Sequence, residues 1–147
     1  MSIALPSDYG YVLLAAASTP IVNIVHAFLT SSSRKAAGIK YPISYASAEQ
    51  ADKDPRAFTF NCAQRAHANF TENLTPFLTA LLVAGLKYPV FAGTLGGAWS
   101  AARLLFAIGY TSNGPKGRIV GSVTGTLINF ALVGTSLYTA LGYALNW

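Results

Sequence analysis

Long apolar segments dominate this sequence and limit the folds that are open to it. They lie at about residues 9–30, 57–86, 90–110 and 118–145, and polar stretches separate them. Because an α-helix rises about 1.5 Å per residue, about twenty apolar residues cross a hydrocarbon core of about 30 Å. In lipid, only helices and closed barrels satisfy their own backbone hydrogen bonds. We therefore predict that residues 1–147 form a single all-α integral membrane domain, a four-transmembrane-helix bundle.

The composition supports the same class. Of the 147 residues, 52% are hydrophobic and only 10% are charged, whereas soluble domains are about 25% charged. The net charge of +5 could suit nucleic acid, but the basic residues lie beside apolar segments. This arrangement favours an anionic membrane surface, so we predict membrane lipid and no nucleic acid as a partner. The single cysteine, Cys62, excludes an internal disulfide framework and a multi-cysteine metal site, and we predict no metal.

The distribution of basic residues predicts the orientation in the membrane. The short turn between the second and third segments carries one basic residue, Lys87, and the two longer loops carry the others outside the segments. Because cytosolic loops are enriched in Lys and Arg, both longer loops are predicted to be cytosolic. Their basic residues are Arg34, Lys35, Lys40, Lys53, Arg56, Lys116 and Arg118.

Polar residues interrupt the first half of the second segment. Arg65, Asn69 and Glu72 follow one another at i, i+4 and i+7, which places them on one stripe of a helix. Charged groups are costly in hydrocarbon, so they face a bundle interior or a wet cavity and mark functional sites. The alternative interpretation is a mutually satisfied Arg65–Glu72 pair that only locks helices together.

Further polar residues are predicted at the same membrane face. Arg103 lies inside the third segment, Tyr110 follows it at i+7, and Arg118 opens the fourth. Taken singly, Arg103 could be an interhelical anchor and Tyr110 an interfacial aromatic residue. Together, the cations, the carboxylate and the amide match a ligand with carboxylates, an ammonium group and peptide amides. An arginine beside a bound thiol would also favour the reactive thiolate.

One run of residues carries a family resemblance. The run Phe60-Asn-Cys-x-Gln-Arg-Ala-His-x-Asn-x-x-Glu72, with Pro76-Phe77 after it, resembles the MAPEG family of membrane glutathione enzymes. Ser33-Arg-Lys35 and Tyr41-Pro42 in the first loop and Gly109-Tyr110 in the third segment extend the match. The resemblance covers nearly the whole chain in order and spacing.

The resemblance implies a homotrimer in the endoplasmic reticulum membrane, with the co-substrate glutathione bound between protomers and facing the cytosol. The implied activity is conjugation of glutathione to lipophilic electrophiles, with reduction of lipid hydroperoxides. Arg118 matches the thiol-activating position, and Lys116 is the alternative because the spacing in that turn is uncertain by one residue. The positions that match glutathione contacts are Arg34, Arg65, His67, Asn69, Glu72, Arg103 and Tyr110.

Two departures from the family pattern bear on the substrate. Asn73 stands where the leukotriene-C4 synthase branch has a tyrosine, and Phe106 stands at a position that is often tyrosine. The main alternative function is a non-catalytic lipid-binding scaffold of the same superfamily, although a scaffold need not keep Arg118. A channel fits poorly, because the fourth segment carries no charge after Arg118.

Overall fold

The computed structural model describes residues 5–146, and every regular element in that range is an α-helix. The predicted domain also includes residues 1–4 and 147, which lie outside the described residues. Four helices are long, and a short helix, α2, lies in the first loop. In chain order they are α1 (Tyr9–Ala37), α2 (Ala48–Lys53), α3 (Pro55–Gly85), α4 (Pro89–Gly117) and α5 (Ile119–Leu145).

The ends of α1 and α3 follow from local sequence. Helix α1 continues past the predicted end near residue 30 and stops at Gly38, whose φ of 64° is left-handed and favours glycine. Helix α3 begins at Pro55, and the Asp54 carboxylate accepts a hydrogen bond from the Arg56 backbone N–H. Hydrogen bonds from the Arg56 side chain and backbone hold the pKa of Asp54 below its usual value. The cap therefore stabilises the fold at pH values above the ordinary carboxyl pKa of aspartate. This stabilisation is lost as the pH falls through the lowered pKa of Asp54.

Three of the described helices, α1, α4 and α5, are long and apolar enough to cross a membrane. Helix α3 is the longest at 31 residues but is not one of the three. Its polar residues, Asn69, Glu72 and Asn73 among them, lower its hydropathy. The described residues thus form an all-helical structure with three candidate membrane spans.

Helices α3 and α4 occupy the middle of the bundle. They contact each other, and each contacts both α1 and α5, whereas α1 and α5 do not contact each other within the described residues. The core between α3 and α4 is aromatic, since Phe77 stacks on Trp99 with ring centroids 3.7 Å apart and Phe70 packs against the same indole. The outer faces of α1 and α5 stay apolar and exposed, with Phe28 and Phe130 both 71% exposed. Such faces suit contact with lipid.

The first loop is held against the start of α3. The Asn61 side chain donates to the Ala46 carbonyl oxygen at 3.0 Å and accepts from the Ala46 N–H at 2.8 Å. Directly after Ala46, the Ser47 and Gln50 side chains form a capping box that starts α2. These contacts satisfy polar backbone groups of the loop and fix it at one end of the bundle.

Candidate functional site

The turn between α4 and α5 is in direct backbone contact with α4. The turn begins near the end of the range given for α4, because the chain reverses at Gly114, a non-helical residue with a φ of 62°. A Cβ at Gly117 would overlap the Gly109 carbonyl oxygen, and one at Gly121 would lie 2.5 Å from the Phe106 nitrogen. Only glycine allows these approaches. Arg118 lies between Gly117 and Gly121 in the sequence, so these close contacts fix its position.

We expect Gly117→Ala to destabilise the protein and to displace Arg118. The added methyl group would overlap a backbone oxygen, which cannot move aside as a side chain can. Overpacking of this kind costs about 1–3 kcal/mol, so the thermal midpoint in detergent should fall by several degrees. Gly134→Ala is the matched control, because a Cβ there meets nothing within 4 Å. Equal midpoints for the two variants would contradict the proposed contact.

A track of two aromatic rings with a cation at each end runs along α4 to Arg118. The Arg118 guanidinium lies 5.1 Å from the Tyr110 ring centroid, and Tyr110 meets Phe106 edge to face at 5.7 Å. On the other side of Phe106, the Arg103 guanidinium lies 4.4 Å from the ring centroid. The rings thus connect two arginines that are fifteen positions apart in sequence.

Arg103 is a buried cation without a carboxylate partner. Its relative exposure is 4%, and its Nη2 donates to Asn69 Oδ1 at 2.6 Å. Within the described part of the chain, its Nε has no hydrogen-bond partner and no acidic side chain forms an ion pair with it. Burial of an unpaired charge is unfavourable. The site therefore has a local excess of positive charge.

Arg65 and Glu72 pair with each other at the surface of α3. Arg65 Nη1 donates to Glu72 Oε1 at 2.7 Å, and the side chains are 46% and 52% exposed. Both residues belong to α3, so the pair links no two helices. An exposed ion pair contributes only about 0–1 kcal/mol to stability. The pair therefore does little for the fold and keeps two charged groups available beside Asn69.

His67 faces α1, away from the track. Its Nε2 forms a hydrogen bond with Asn23 Oδ1 at 2.9 Å, and its ring lies 5.9 Å from the ring of His26. His26 is buried and stacks on Phe70 with a centroid distance of 4.8 Å. These side chains form a polar and aromatic contact between α1 and α3.

Arg34 holds the first loop. Its guanidinium lies between the rings of Tyr41 and Phe60, 4.4 and 4.5 Å from their centroids. Its Nη1 donates to the Ile43 carbonyl oxygen at 2.6 Å. Contacts connect Asn69, Arg103, Tyr110 and Arg118, and the Arg65–Glu72 pair lies on the same helix as Asn69. Arg34 and His67 are separate from both groups.

Three contributors to this arrangement were not predicted from the sequence. Helical spacing places Phe106 on the same face as Arg103 and Tyr110, but the contact of its ring with both side chains was not predicted. Asn23, which lies in an apolar segment, forms the hydrogen bond to His67. The contact of Gly109 with Gly117 had one available signal, the pair of glycines on either side of the Gly114-Pro115 reversal.

A comparison with protein families covers most of the chain. The model described as "MAPEG family" matches residues 12–138, a range that contains all eight predicted site residues. The family includes glutathione transferases, peroxidases and eicosanoid synthases. The protein described here belongs to the MAPEG family.

Proposed function

We propose that the protein is a membrane-bound glutathione S-transferase that also reduces lipid hydroperoxides, similar to microsomal glutathione S-transferase 3. The observation that carries this proposal is the buried Arg103 guanidinium, which has no carboxylate partner among the described residues. An anionic ligand would supply the missing counter-charge. MAPEG members use glutathione as substrate or cofactor, and glutathione carries two carboxylates.

The site residues suit the polar groups of glutathione. Arg65 and Arg103 offer guanidinium groups to the carboxylates, and Glu72 offers a carboxylate to the ammonium group. The Asn69 amide lies between Arg65 and Glu72 in the sequence of α3, and it suits a peptide group. Binding would exchange the exposed Arg65–Glu72 pair for two bonds to the ligand. Charge-assisted hydrogen bonds contribute about 1.5–3 kcal/mol each.

Arg118 is the proposed thiol-activating residue. A guanidinium beside the sulfur favours loss of the thiol proton to solvent and holds the thiolate. In conjugation, the thiolate forms a carbon–sulfur bond as the leaving group departs with its electron pair or the electrophilic double bond opens. In reduction, the thiolate takes the terminal oxygen of a hydroperoxide and releases an alcohol. A second glutathione then converts the sulfenic acid to glutathione disulfide and water.

The membrane arrangement forms part of the proposal. Helix α3 would be the fourth span, because it is long enough to cross a bilayer and packs against α1, α4 and α5. The protein would form a trimer in the endoplasmic reticulum membrane, with the two longer loops and the glutathione site on the cytosolic side. Arg34 and His67, which lie apart from the α4 track, remain proposed glutathione contacts.

The test is turnover by protein purified in detergent. We expect heat of glutathione binding by calorimetry, a conjugate with a model electrophile, and separate consumption of a lipid hydroperoxide. A parallel reaction without protein gives the slow uncatalysed rate, which is subtracted. Lipid binding without binding or consumption of glutathione would overturn the proposal in favour of the lipid-binding scaffold.

A further inference from the structure

A groove of about 690 Å³ lies between α1 and α4, at the end of the bundle away from Arg118. Its mouth is at Asp8 and Val90, which lie at the starts of the two helices. Its lining on α1 extends to Ile21, and near that end the Ser18 and Ser100 hydroxyls hydrogen-bond across the two helices at 2.6 Å. The volume is within the range of about 300–1,000 Å³ that is typical of small-molecule sites.

The groove is open because one floor residue has no side chain. A Cβ at Gly97 would meet nothing within 4 Å, whereas one at Gly93 would lie 2.7 Å from Tyr11 Cβ. The two helices touch at Gly93, Gly96 and Ser100, so the open space at Gly97 lies to one side of their line of contact. Leu14 and Ile21 line the groove and are 70% and 64% exposed. Because α1 and α4 are both candidate membrane spans, these apolar side chains face the hydrocarbon.

The dimensions match one leaflet of a bilayer. From Asp8 to Ile21, α1 covers about 20 Å at about 1.5 Å per residue. A bilayer measures about 40–45 Å with its headgroups, so one leaflet measures about 20–22 Å. An acyl chain that entered at the headgroup level would thus reach the inner end of the groove.

The charge at the mouth selects among lipids. Of the residues that the structure describes, Asp8 is the only charged one that lines the groove, and it is exposed. A carboxylate repels the carboxylate of a free fatty acid and the phosphate of an anionic lipid. It attracts an ammonium headgroup instead, and the nearby Tyr11 adds a hydroxyl.

We propose that this groove binds one acyl chain of a zwitterionic phospholipid, with the ammonium headgroup beside Asp8. The occupant is a lipid of the surrounding membrane, not a reactant, because the groove contains no residue of the glutathione site. The inference does not depend on the proposed enzymatic function.

Native mass spectrometry of protein released from lipid nanodiscs tests the proposal. The nanodiscs contain equal amounts of phosphatidylethanolamine and phosphatidylglycerol, with free oleate added. We expect one retained phosphatidylethanolamine per protomer in the wild type. Gly97→Leu fills the groove and should reduce the retained fraction at least tenfold. Gly134→Leu is the matched control, since a Cβ there also meets open space, and it should retain the lipid.

Two more variants separate loss of the lipid from loss of the fold. Ala17→Leu fills the groove from the α1 side with a residue that favours helix, and it should also lose the lipid. Asp8→Asn should keep one lipid but lose the preference for phosphatidylethanolamine. Thermal midpoints within a few degrees of the wild type show that the variants fold. Unchanged retention in both filled variants, retention of oleate or phosphatidylglycerol by the wild type, or no retained lipid would each overturn the proposal.

Discussion

Arg118→Ala should lower glutathione turnover at pH 7 by at least about tenfold while glutathione still binds. A thiol without a cationic neighbour has a pKa of about 8.5, so only a few per cent is thiolate at pH 7. A guanidinium beside the sulfur lowers such a pKa by about 1–3 units. Binding should persist, because Arg65, Asn69, Glu72 and Arg103 remain. Turnover with a model electrophile measures the rate, and calorimetry measures glutathione binding. The ultraviolet absorbance of the thiolate measures the fraction of ionised thiol.

The pH profile distinguishes thiol activation by Arg118 from a structural role. Without Arg118, the rate should keep rising with pH to about the ordinary thiol pKa of about 8.5, whereas the wild-type rate should level off at lower pH. Lys116→Ala is the matched control, because Lys116 is an exposed cation of the same turn. A normal profile for Arg118→Ala together with the shifted profile in Lys116→Ala would move thiol activation to Lys116.

The double variant Arg103→Met with Asn69→Leu should lose glutathione binding and keep its stability. Loss of the buried cation and the amide should weaken glutathione at least about 100-fold, since two charge-assisted or buried hydrogen bonds contribute about 1–3 kcal/mol each. Replacement of a buried polar pair by apolar residues of similar size is often neutral or stabilising by about 1–4 kcal/mol. Calorimetry and thermal unfolding in the same detergent measure the two properties.

The single variant Arg103→Met serves as the comparison for stability. It removes the donor at 2.6 Å from Asn69 Oδ1 and leaves a half-buried acceptor without its partner. An unsatisfied buried group costs about 1–3 kcal/mol, so the single variant should be less stable than the double variant. If the double variant bound glutathione normally and unfolded more readily, Arg103 would be a structural anchor and the proposed site would be wrong.

The sequence alone determines the class of the protein and part of its site. Stretches of apolar residues predict helices in a membrane, because a backbone in lipid must satisfy its own hydrogen bonds. The all-helical structure and its three apolar helices agree with that class. Helical periodicity also places Arg65 and Glu72 on one side of α3, where they pair across two turns. These features are local, so spacing along the chain is sufficient to predict them.

The tertiary structure decides which neighbour each side chain meets. Asn69 and His67 are two residues apart on α3, yet Asn69 contacts Arg103 on α4 and His67 contacts Asn23 on α1. Arg118 lies over Tyr110 because the turn before it packs on α4 at Gly109. Such contacts depend on the rotation of each helix against its neighbours and on the path of one turn. Side-chain packing between distant segments sets both, and no local pattern in the sequence records it.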